Sequence, residues 1–206
     1  MRCAYSKGCK LSNFECPQND NEIAEMEKVP YASAVGSFMY AQVCTRADIA
    51  FIVNALGRYL SNPGCPDDRK STSDLVFKMA GGAISWKSIK QTLTTTSTME
   101  AEYVACYEAT CQAMWLKNLI SYFKVVESIS RPLVIFCDNT TAVYFSQNTK
   151  SSSKSKHFDI KYLFVREKIL EFQTRIEHLA TENMLADPLT KDLTVGVFQR
   201  HVTHMG

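Results

Sequence analysis

Three acidic residues stand where carboxylates from distant parts of the chain could meet. Glu102 lies near the start of a predicted helix, Asp138 directly follows an apolar run, and Asp187 precedes a proline near the C-terminus. Carboxylate oxygens are the ligands that Mg²⁺ prefers, and bound cations offset the repulsion between carboxylates held close together. Two such ions can activate a water molecule and stabilise the leaving oxygen of a phosphodiester. The three residues therefore indicate metal-dependent hydrolysis of a phosphodiester.

Each acid taken alone has a plainer explanation. Glu102 could lie on a solvated helix face, and Asp187 could cap a helix whose first residue is Pro188. Asp138 is less ordinary, because it ends an apolar strand and precedes Asn-Thr-Thr, yet a turn or capping role fits it equally well. It is the joint arrangement of the three acids that favours a functional site.

The composition is that of an ordinary globular protein. The chain has 206 residues, 46% of them hydrophobic, and a net charge of +2 that neither requires nor excludes a nucleic-acid partner. No apolar run approaches the ~20 residues that cross a bilayer, so we expect no membrane partner. The eight cysteines include no C-x-x-C pair, which argues against a zinc site. We expect reduced, mostly buried thiols in an intracellular protein, cytoplasmic or nuclear.

A cluster of helix-breaking residues at 61–68 divides the chain into two parts. The first part, residues 1–64, is predicted to be a loop followed by helices near 20–26, 32–42 and 48–60. The second part, residues 65–206, is predicted to follow the order β-β-α-β-α-α-β-α. Its predicted elements are a hairpin at 75–88 that turns at Gly81-Gly82, a helix at 98–125 with a Ser97–Glu100 capping box, a strand at 132–137 buried on both faces, helices at 141–146 and 160–170, an edge strand at 171–179, and a last helix capped by Asp187.

Several motifs in the second part resemble the ribonuclease H domain of copia-type retrotransposon polyproteins. They follow the order of that family from residue 67 to about residue 192. The motifs are Asp68-Arg69-Lys70-Ser71-Thr72-Ser73, the Gly81-Gly82 hairpin with Ser85-Trp86-Lys87-Ser88, Thr98-Met99-Glu100-Ala101-Glu102-Tyr103-Val104-Ala105, Cys137-Asp138-Asn139, Lys156-His157-Phe158-Asp159-Ile160 and Ala186-Asp187-Pro188-Leu189-Thr190-Lys191.

Residues 1–64 resemble the tail of the reverse transcriptase that precedes this domain in the same polyproteins. The matching motifs are Tyr31-Ala32-Ser33-Ala34-Val35-Gly36-Ser37 and Tyr40-Ala41-Gln42-Val43-Cys44-Thr45-Arg46-Ala47-Asp48-Ile49-Ala50, in which Ala47 replaces the proline usual in the family. The polymerase motif of the type Tyr-x-Asp-Asp is absent, so we expect no polymerase activity in this chain.

The resemblance implies an α/β fold with a ribonuclease H-like mixed sheet and flanking helices, preceded by a small helical segment. It also implies two domains, residues 1–64 and 65–206, and an ancestral activity that hydrolyses the RNA strand of RNA–DNA hybrids. Glu102, Asp138 and Asp187 correspond to the catalytic ligands of two Mg²⁺ or Mn²⁺ ions, and no small-molecule cofactor is implied. A basic segment could contact hybrid or other duplex nucleic acid, although a solvated loop explains it equally well. Its residues are Lys150, Lys154, Lys156, His157 and Lys161.

One stretch of the family pattern is missing. Family members carry a helix, the first strand and the first catalytic aspartate of the ribonuclease domain between the segments that here end at Gly64 and begin at Asp68. Because loss of a central strand leaves two strand edges without partners, we expect a sheet without this strand, an incomplete ion site and impaired activity. Either the element has decayed, or an intron prediction has removed coding sequence. The transcript across residues 60–70 distinguishes the two.

Two other functions are compatible with parts of this pattern. The chain could be a non-catalytic remnant of a retroelement that at most binds nucleic acid. It could also be a strand transferase of the integrase type, which shares the sheet topology. In that class the acids run Asp, Asp and then a helical Glu, whereas the helical Glu102 precedes both Asp138 and Asp187 here. This order argues against the integrase class.

Overall fold

A computed structural model of the chain describes residues 19–61, 71–124, 132–148, 156–189, 191 and 193–206. These residues form seven α-helices and four β-strands, which confirms the predicted α/β class. The elements are α1 Asp20–Glu27, α2 Tyr31–Cys44, α3 Ala50–Ser61, β1 Thr72–Met79, β2 Gly82–Lys90, α4 Thr98–Phe123, β3 Leu133–Cys137, α5 Thr140–Gln147, α6 Lys156–Leu170, β4 Thr174–His178 and α7 Val195–Met205. From β1 onward they follow the predicted order.

The chain divides into two compact units. The first comprises Met1–Arg69, Lys78–Ser88 and Leu185–Gly206, and the second comprises Lys70–Phe77 and Ile89–Met184. The predicted domain boundary between residues 64 and 65 lies outside the described residues and stays a prediction. None of the helices among the described residues is both long enough and apolar enough to cross a membrane.

Helix α4 is the longest element of the second unit, and its start is defined by a side-chain cap. The hydroxyl of Ser97 accepts a hydrogen bond from the Glu100 amide at 3.2 Å, as predicted. The other half of the predicted capping box is wrong, because the Glu100 carboxylate accepts from the amide of Thr96 at 2.8 Å and not from Ser97. Buried residues then recur at helical spacing along one side, including Tyr103, Cys106 and Ala113.

Strands β3 and β4 pair in parallel and place Ile135 opposite Ile176. Both of these residues belong to the buried core, to which α4, α5 and α6 also contribute. The predicted burial of β3 on both faces is wrong at Phe136, whose side chain is 49% exposed. Neighbouring residues of a strand point to opposite faces, and the helices of this unit pack on the face that carries Ile135. The strand therefore has one buried face.

The four strands form two separate pairs, β1 with β2 and β3 with β4, and no strand in the described part of the chain joins them. The β1–β2 hairpin turns at Ala80 and Gly81, which have φ values of +52° and +92°. The predicted turn at Gly81-Gly82 is thus one residue too late. Two-residue hairpin turns of the favoured type need positive φ at both positions, and Ala80 adopts it although a side chain disfavours it.

The first unit contains the three predicted helices near the N-terminus and differs from the prediction near the C-terminus. Asp187 does not cap the last helix. It begins a short 3₁₀ turn, Asp187–Leu189, and α7 starts later, after Thr194. The apolar period that defines α7 begins with Phe198 and places the buried residues His201 and Met205 on one side of the helix. The helix that was predicted to start at Pro188 is therefore only a single 3₁₀ turn.

Candidate metal centre

Glu102 and Asp138 lie close together in the second unit. Glu102 projects from the second turn of α4, and Asp138 follows the last residue of β3. One ligand atom of each, together with the sulfur of Cys137, lies within 4.8 Å of the other two. The two carboxylates are half-buried and Cys137 is buried. Two elements that are distant in sequence thus bring two hard oxygen donors and one soft sulfur donor together.

Local hydrogen bonds define the end of β3. The backbone pairing with the last strand continues past β4, since the amide of Leu179 donates to the carbonyl of Cys137 at 3.0 Å. Asn139 then caps α5, because its side-chain oxygen accepts from the Ala142 amide at 3.0 Å. Between these two anchors, one oxygen of the Asp138 carboxylate accepts from the Thr181 hydroxyl at 3.3 Å. Asp138 is therefore positioned by the strand end and not by a capping role of its own.

A second thiol borders the cluster. Cys106 lies one turn after Glu102 on α4, is 4% exposed, and shares a hydrogen bond with Cys137. This hydrogen bond raises the pKa of Cys106 well above its ordinary value, and burial and the charges of Cys137, Glu102 and Asp138 act in the same direction. Donation from Cys106 lowers the pKa of Cys137, against the opposing effect of burial and the two carboxylates.

The sequence pattern predicts ordinary buried thiols at these positions, and the free, buried state of Cys106 and Cys137 agrees with that. Their position beside the acids was not part of that prediction. Two signals pointed there: Cys137 adjoins Asp138, and Cys106 follows Glu102 by four residues, which places both on one side of a helix.

Asp187 belongs to the first unit. Its side chain is largely buried, and one carboxylate oxygen lies 2.8 Å from the ammonium nitrogen of Lys191. Its predicted convergence with Glu102 and Asp138 stays a prediction.

The predicted nucleic-acid-binding residues are only partly described. Lys150 and Lys154 lie outside the described residues, and so do the side chains of Lys156 and His157, whose backbone begins α6. The ammonium nitrogen of Lys161 lies 3.9 Å from the ring centre of Tyr107, which is a cation–π contact within the second unit. A role of this segment in binding nucleic acid stays a prediction.

His201 gives the first unit a pH-dependent stability. The residue is 2% exposed, and its Nδ1 has no hydrogen-bond partner among the described residues. Burial lowers its pKa, the charge of Arg200 adds to this, and the charge of Asp187 opposes it. The unfolded-state pKa is about 6.5. The neutral form is therefore favoured in the folded state, and the associated stability is complete above that value and is lost as the pH falls through the lowered folded-state pKa.

We therefore expect the free energy of unfolding to fall less on acidification in the His201→Gln variant than in the unsubstituted protein. Urea unfolding at neutral and mildly acidic pH measures this, with the exposed His204→Gln on the same helix as control. Equal pH dependence in His201→Gln and the unsubstituted protein would contradict the assignment.

The chain matches no protein-family model and no solved structure. It is similar to curated proteins, however. The retrovirus-related Pol polyprotein from transposon TNT 1-94 of Nicotiana tabacum is 33% identical over 223 aligned positions, which cover 88% of this chain and 17% of that polyprotein. The corresponding protein from transposon RE1 of Arabidopsis thaliana is 28% identical, with 85% of this chain and 15% of that protein covered. The secreted RxLR effector protein 161 of Plasmopara viticola is 34% identical, with 44% of this chain and 94% of that protein covered.

Each of these alignments has more positions than it contains residues of this chain. The TNT 1-94 alignment covers 88% of 206 residues, about 181, so about 42 of its 223 positions face no residue of this chain. The RE1 alignment has 218 positions for about 175 residues, and the effector alignment has 134 positions for about 91 residues. Each of the three alignments thus contains about 42 or 43 positions that face no residue of this chain.

The matches to the Pol polyproteins cover 88% and 85% of the chain. The chain in turn spans about a sixth of the length of those polyproteins. It belongs to the Pol polyproteins of copia-type retrotransposons, as a fragment of one.

Proposed function

We propose that this chain is a ribonuclease H-like domain of retrotransposon origin, joined to the C-terminal end of a reverse transcriptase. Its ancestral reaction is hydrolysis of the RNA strand of RNA–DNA hybrids, and its own turnover is impaired. The observation that carries the proposal is the meeting of Glu102 and Asp138, since α4 and the end of β3 supply the two acids that the family resemblance assigns to the ions.

The donor set fits a divalent ion in part. Glu102 and Asp138 offer carboxylate oxygens within 4.8 Å of each other, and Asp187 is proposed as a further ligand. Two bound Mg²⁺ or Mn²⁺ ions would activate water and stabilise the leaving oxygen of the RNA strand. The chain's own residues hold the carboxylates in place, because Ser97 caps α4 and Thr181 donates to Asp138. Asn139, the residue after Asp138, caps α5 and so anchors the chain directly after β3.

Two observations support impaired turnover. About 42 positions of the TNT 1-94 alignment face no residue of this chain, which is enough for a helix and a strand. The division of the four strands into two pairs agrees with loss of a strand that would lie between them. A strand end is also where the missing aspartate would enter the ion site, so the same deletion removes a strand and a ligand.

A non-catalytic remnant that binds duplex nucleic acid is the second candidate. It is favoured by the composition of the cluster, in which, among the residues that the structure describes, a buried thiol and not a third carboxylate accompanies Glu102 and Asp138. Mg²⁺ takes oxygen ligands in near-octahedral geometry, and two carboxylates leave much of its coordination to water. Substrate binding through basic residues would persist without catalysis, with a strong dependence on salt.

The test uses the purified chain with an RNA–DNA hybrid labelled on the RNA strand, in Mg²⁺ and then in Mn²⁺. We expect binding of the hybrid with little or no cleavage. Asp138→Asn is compared with Asp159→Asn, which removes an acid on α6 outside the cluster. Efficient cleavage that only Asp138→Asn abolishes would establish catalysis and overturn the impairment. Failure to bind any duplex would overturn both candidates.

A further inference from the structure

We infer that Cys137, Glu102 and Asp138 bind a thiophilic divalent ion of the Zn²⁺ class. The inference extends the proposed function, because it uses the same two carboxylates, but it does not require cleavage or binding of a hybrid.

The geometry of the cluster is close to that of a one-ion site. One ligand atom from each of the three residues lies within 4.8 Å of the other two. Around a tetrahedral Zn²⁺ ion, with Zn–S of about 2.3 Å and Zn–O of about 2.1 Å, sulfur and oxygen ligands lie about 3.6 Å apart. The separations between the ligand atoms therefore need to shorten by about an ångström to reach coordinating values. Side-chain rotation can supply this change without movement of α4 or β3.

The type of donor selects the ion. Thiolate ligands favour Zn²⁺ and other borderline or soft ions, whereas Mg²⁺ sites consist of oxygen donors and retain water. The sulfur of Cys137 sits within coordination reach of both carboxylates, so an ion held by all three gains from its affinity for sulfur. A magnesium ion in the same place would gain nothing from the thiol.

The ligand atoms differ in burial, with the sulfur buried and the carboxylates partly open to solvent. Cys137 and Cys106 are 3% and 4% exposed, whereas both carboxylates are half-buried and retain access to solvent. A hydrated ion can therefore meet the carboxylates first and then reach the sulfur beneath them. Each coordinating thiol releases its proton to solvent, and its sulfur lone pair forms the bond to the metal, so no oxidant or reductant takes part.

Cys106 lies beside the three ligands. It follows Glu102 by one turn on the same side of α4, and its thiol contacts the sulfur of Cys137. One sulfur and two oxygen ligands then come from one helix and one strand end, which leaves the fourth position of a tetrahedral set to water. The spacing of these residues in sequence resembles no zinc motif, because the ligands come together only when α4 packs against β3.

The test is a titration with Co²⁺ and Cd²⁺ in the presence of a phosphine reductant, followed by competition with Zn²⁺ and Mg²⁺. It uses the full chain with Cys3, Cys9, Cys16, Cys44 and Cys65 replaced by serine, because these cysteines, of which Cys44 is exposed, could bind the probes independently. We expect one equivalent of either ion to give a sulfur-to-metal charge-transfer absorption, which Zn²⁺ removes and excess Mg²⁺ does not. Cobalt should also show the visible bands of a tetrahedral ion.

Cys137→Ser should abolish the charge-transfer absorption and weaken binding by about 100-fold or more, because even outer-sphere changes at metal sites cost ~10–100-fold. Cys111→Ser, on the same helix but outside the cluster, is the matched control and should bind as the parent does. Glu102→Gln keeps both thiols and should weaken binding while the charge-transfer absorption persists at saturation. It remains informative if Cys137→Ser misfolds.

Charge-transfer absorption that survives in Cys137→Ser, or no such absorption in the parent, would overturn the inference. Hybrid cleavage plays no part in these measurements. A chain that binds Co²⁺ through sulfur but fails to bind hybrids would contradict the proposed function alone, and the reverse result would contradict this inference alone.

Discussion

A chimera that carries after Gly64 the segment of the TNT 1-94 relative that the family resemblance assigns to this position is expected to cleave RNA–DNA hybrids at least ~100 times faster than the chain itself. On the proposed function, this one insertion supplies both the first strand of the ribonuclease domain and its first aspartate ligand. Loss of outer-sphere partners at metal sites already costs ~10–100-fold, so recovery of a direct ligand should exceed that range. Initial rates on a labelled hybrid in Mg²⁺ measure the effect.

Two variants of the chimera serve as controls. Asp138→Asn and, separately, replacement of the restored aspartate by asparagine should each return the rate to that of the original chain. Asp159→Asn should leave the rate nearly unchanged, since this acid on α6 lies outside the cluster. A chimera that folds cooperatively and remains inactive would show that residues outside the inserted segment have decayed.

Replacement of Tyr103 by alanine should lower the free energy of unfolding by ~3–5 kcal/mol, the range for truncation of a large buried aromatic side chain. Tyr103 is fully buried on α4, with its ring centre 5.3 Å from that of Phe145 on α5 and 5.8 Å from that of Tyr162 on α6. One side chain thus fills the space where three helices meet. Urea unfolding followed by circular dichroism measures the change.

Two further substitutions separate packing from hydrogen bonding. Tyr103→Phe keeps the ring and removes only a long hydrogen bond, 3.4 Å from the hydroxyl to the Tyr162 carbonyl, so it should cost about 1 kcal/mol or less. Tyr122→Ala truncates a tyrosine on the same helix that is 81% exposed, and should change stability by no more than about 0.5 kcal/mol. Similar losses in Tyr103→Ala and Tyr122→Ala would contradict the packing described for α4.

Local patterns predicted the elements well, because helices and strands depend on spacing and on short-range caps. The amphipathic period of residues 48–60 and the Ser97 cap both correspond to observed elements, α3 and the start of α4. The hairpin was displaced by one residue, since Gly81-Gly82 satisfies the turn preference better than Ala80-Gly81 and strand pairing overrides that preference. The start of the last helix was wrong because a proline favours one turn of any helix, including the 3₁₀ turn at Asp187.

The candidate site shows a similar division. The sequence identified Glu102 and Asp138, and the structure brings them together at the end of β3. It did not identify Cys137 and Cys106 as their neighbours, because a buried thiol has the same sequence signature whether it packs against apolar groups or against a carboxylate. The cation–π contact of Lys161 with Tyr107 could likewise not be predicted from the sequence, because α6 and α4 are far apart along the chain.

The sequence by itself therefore determined the order and type of the elements, the family and two acids of the site. These follow from periodicity, caps and motifs that act over a few residues. Only the tertiary structure decided which face of β3 is buried, that the strands form two pairs, and that sulfur accompanies the carboxylates. Those features depend on the packing of α4, α5 and α6 against the strands. Such packing is a free-energy balance over contacts between residues tens of positions apart, and no local pattern encodes it.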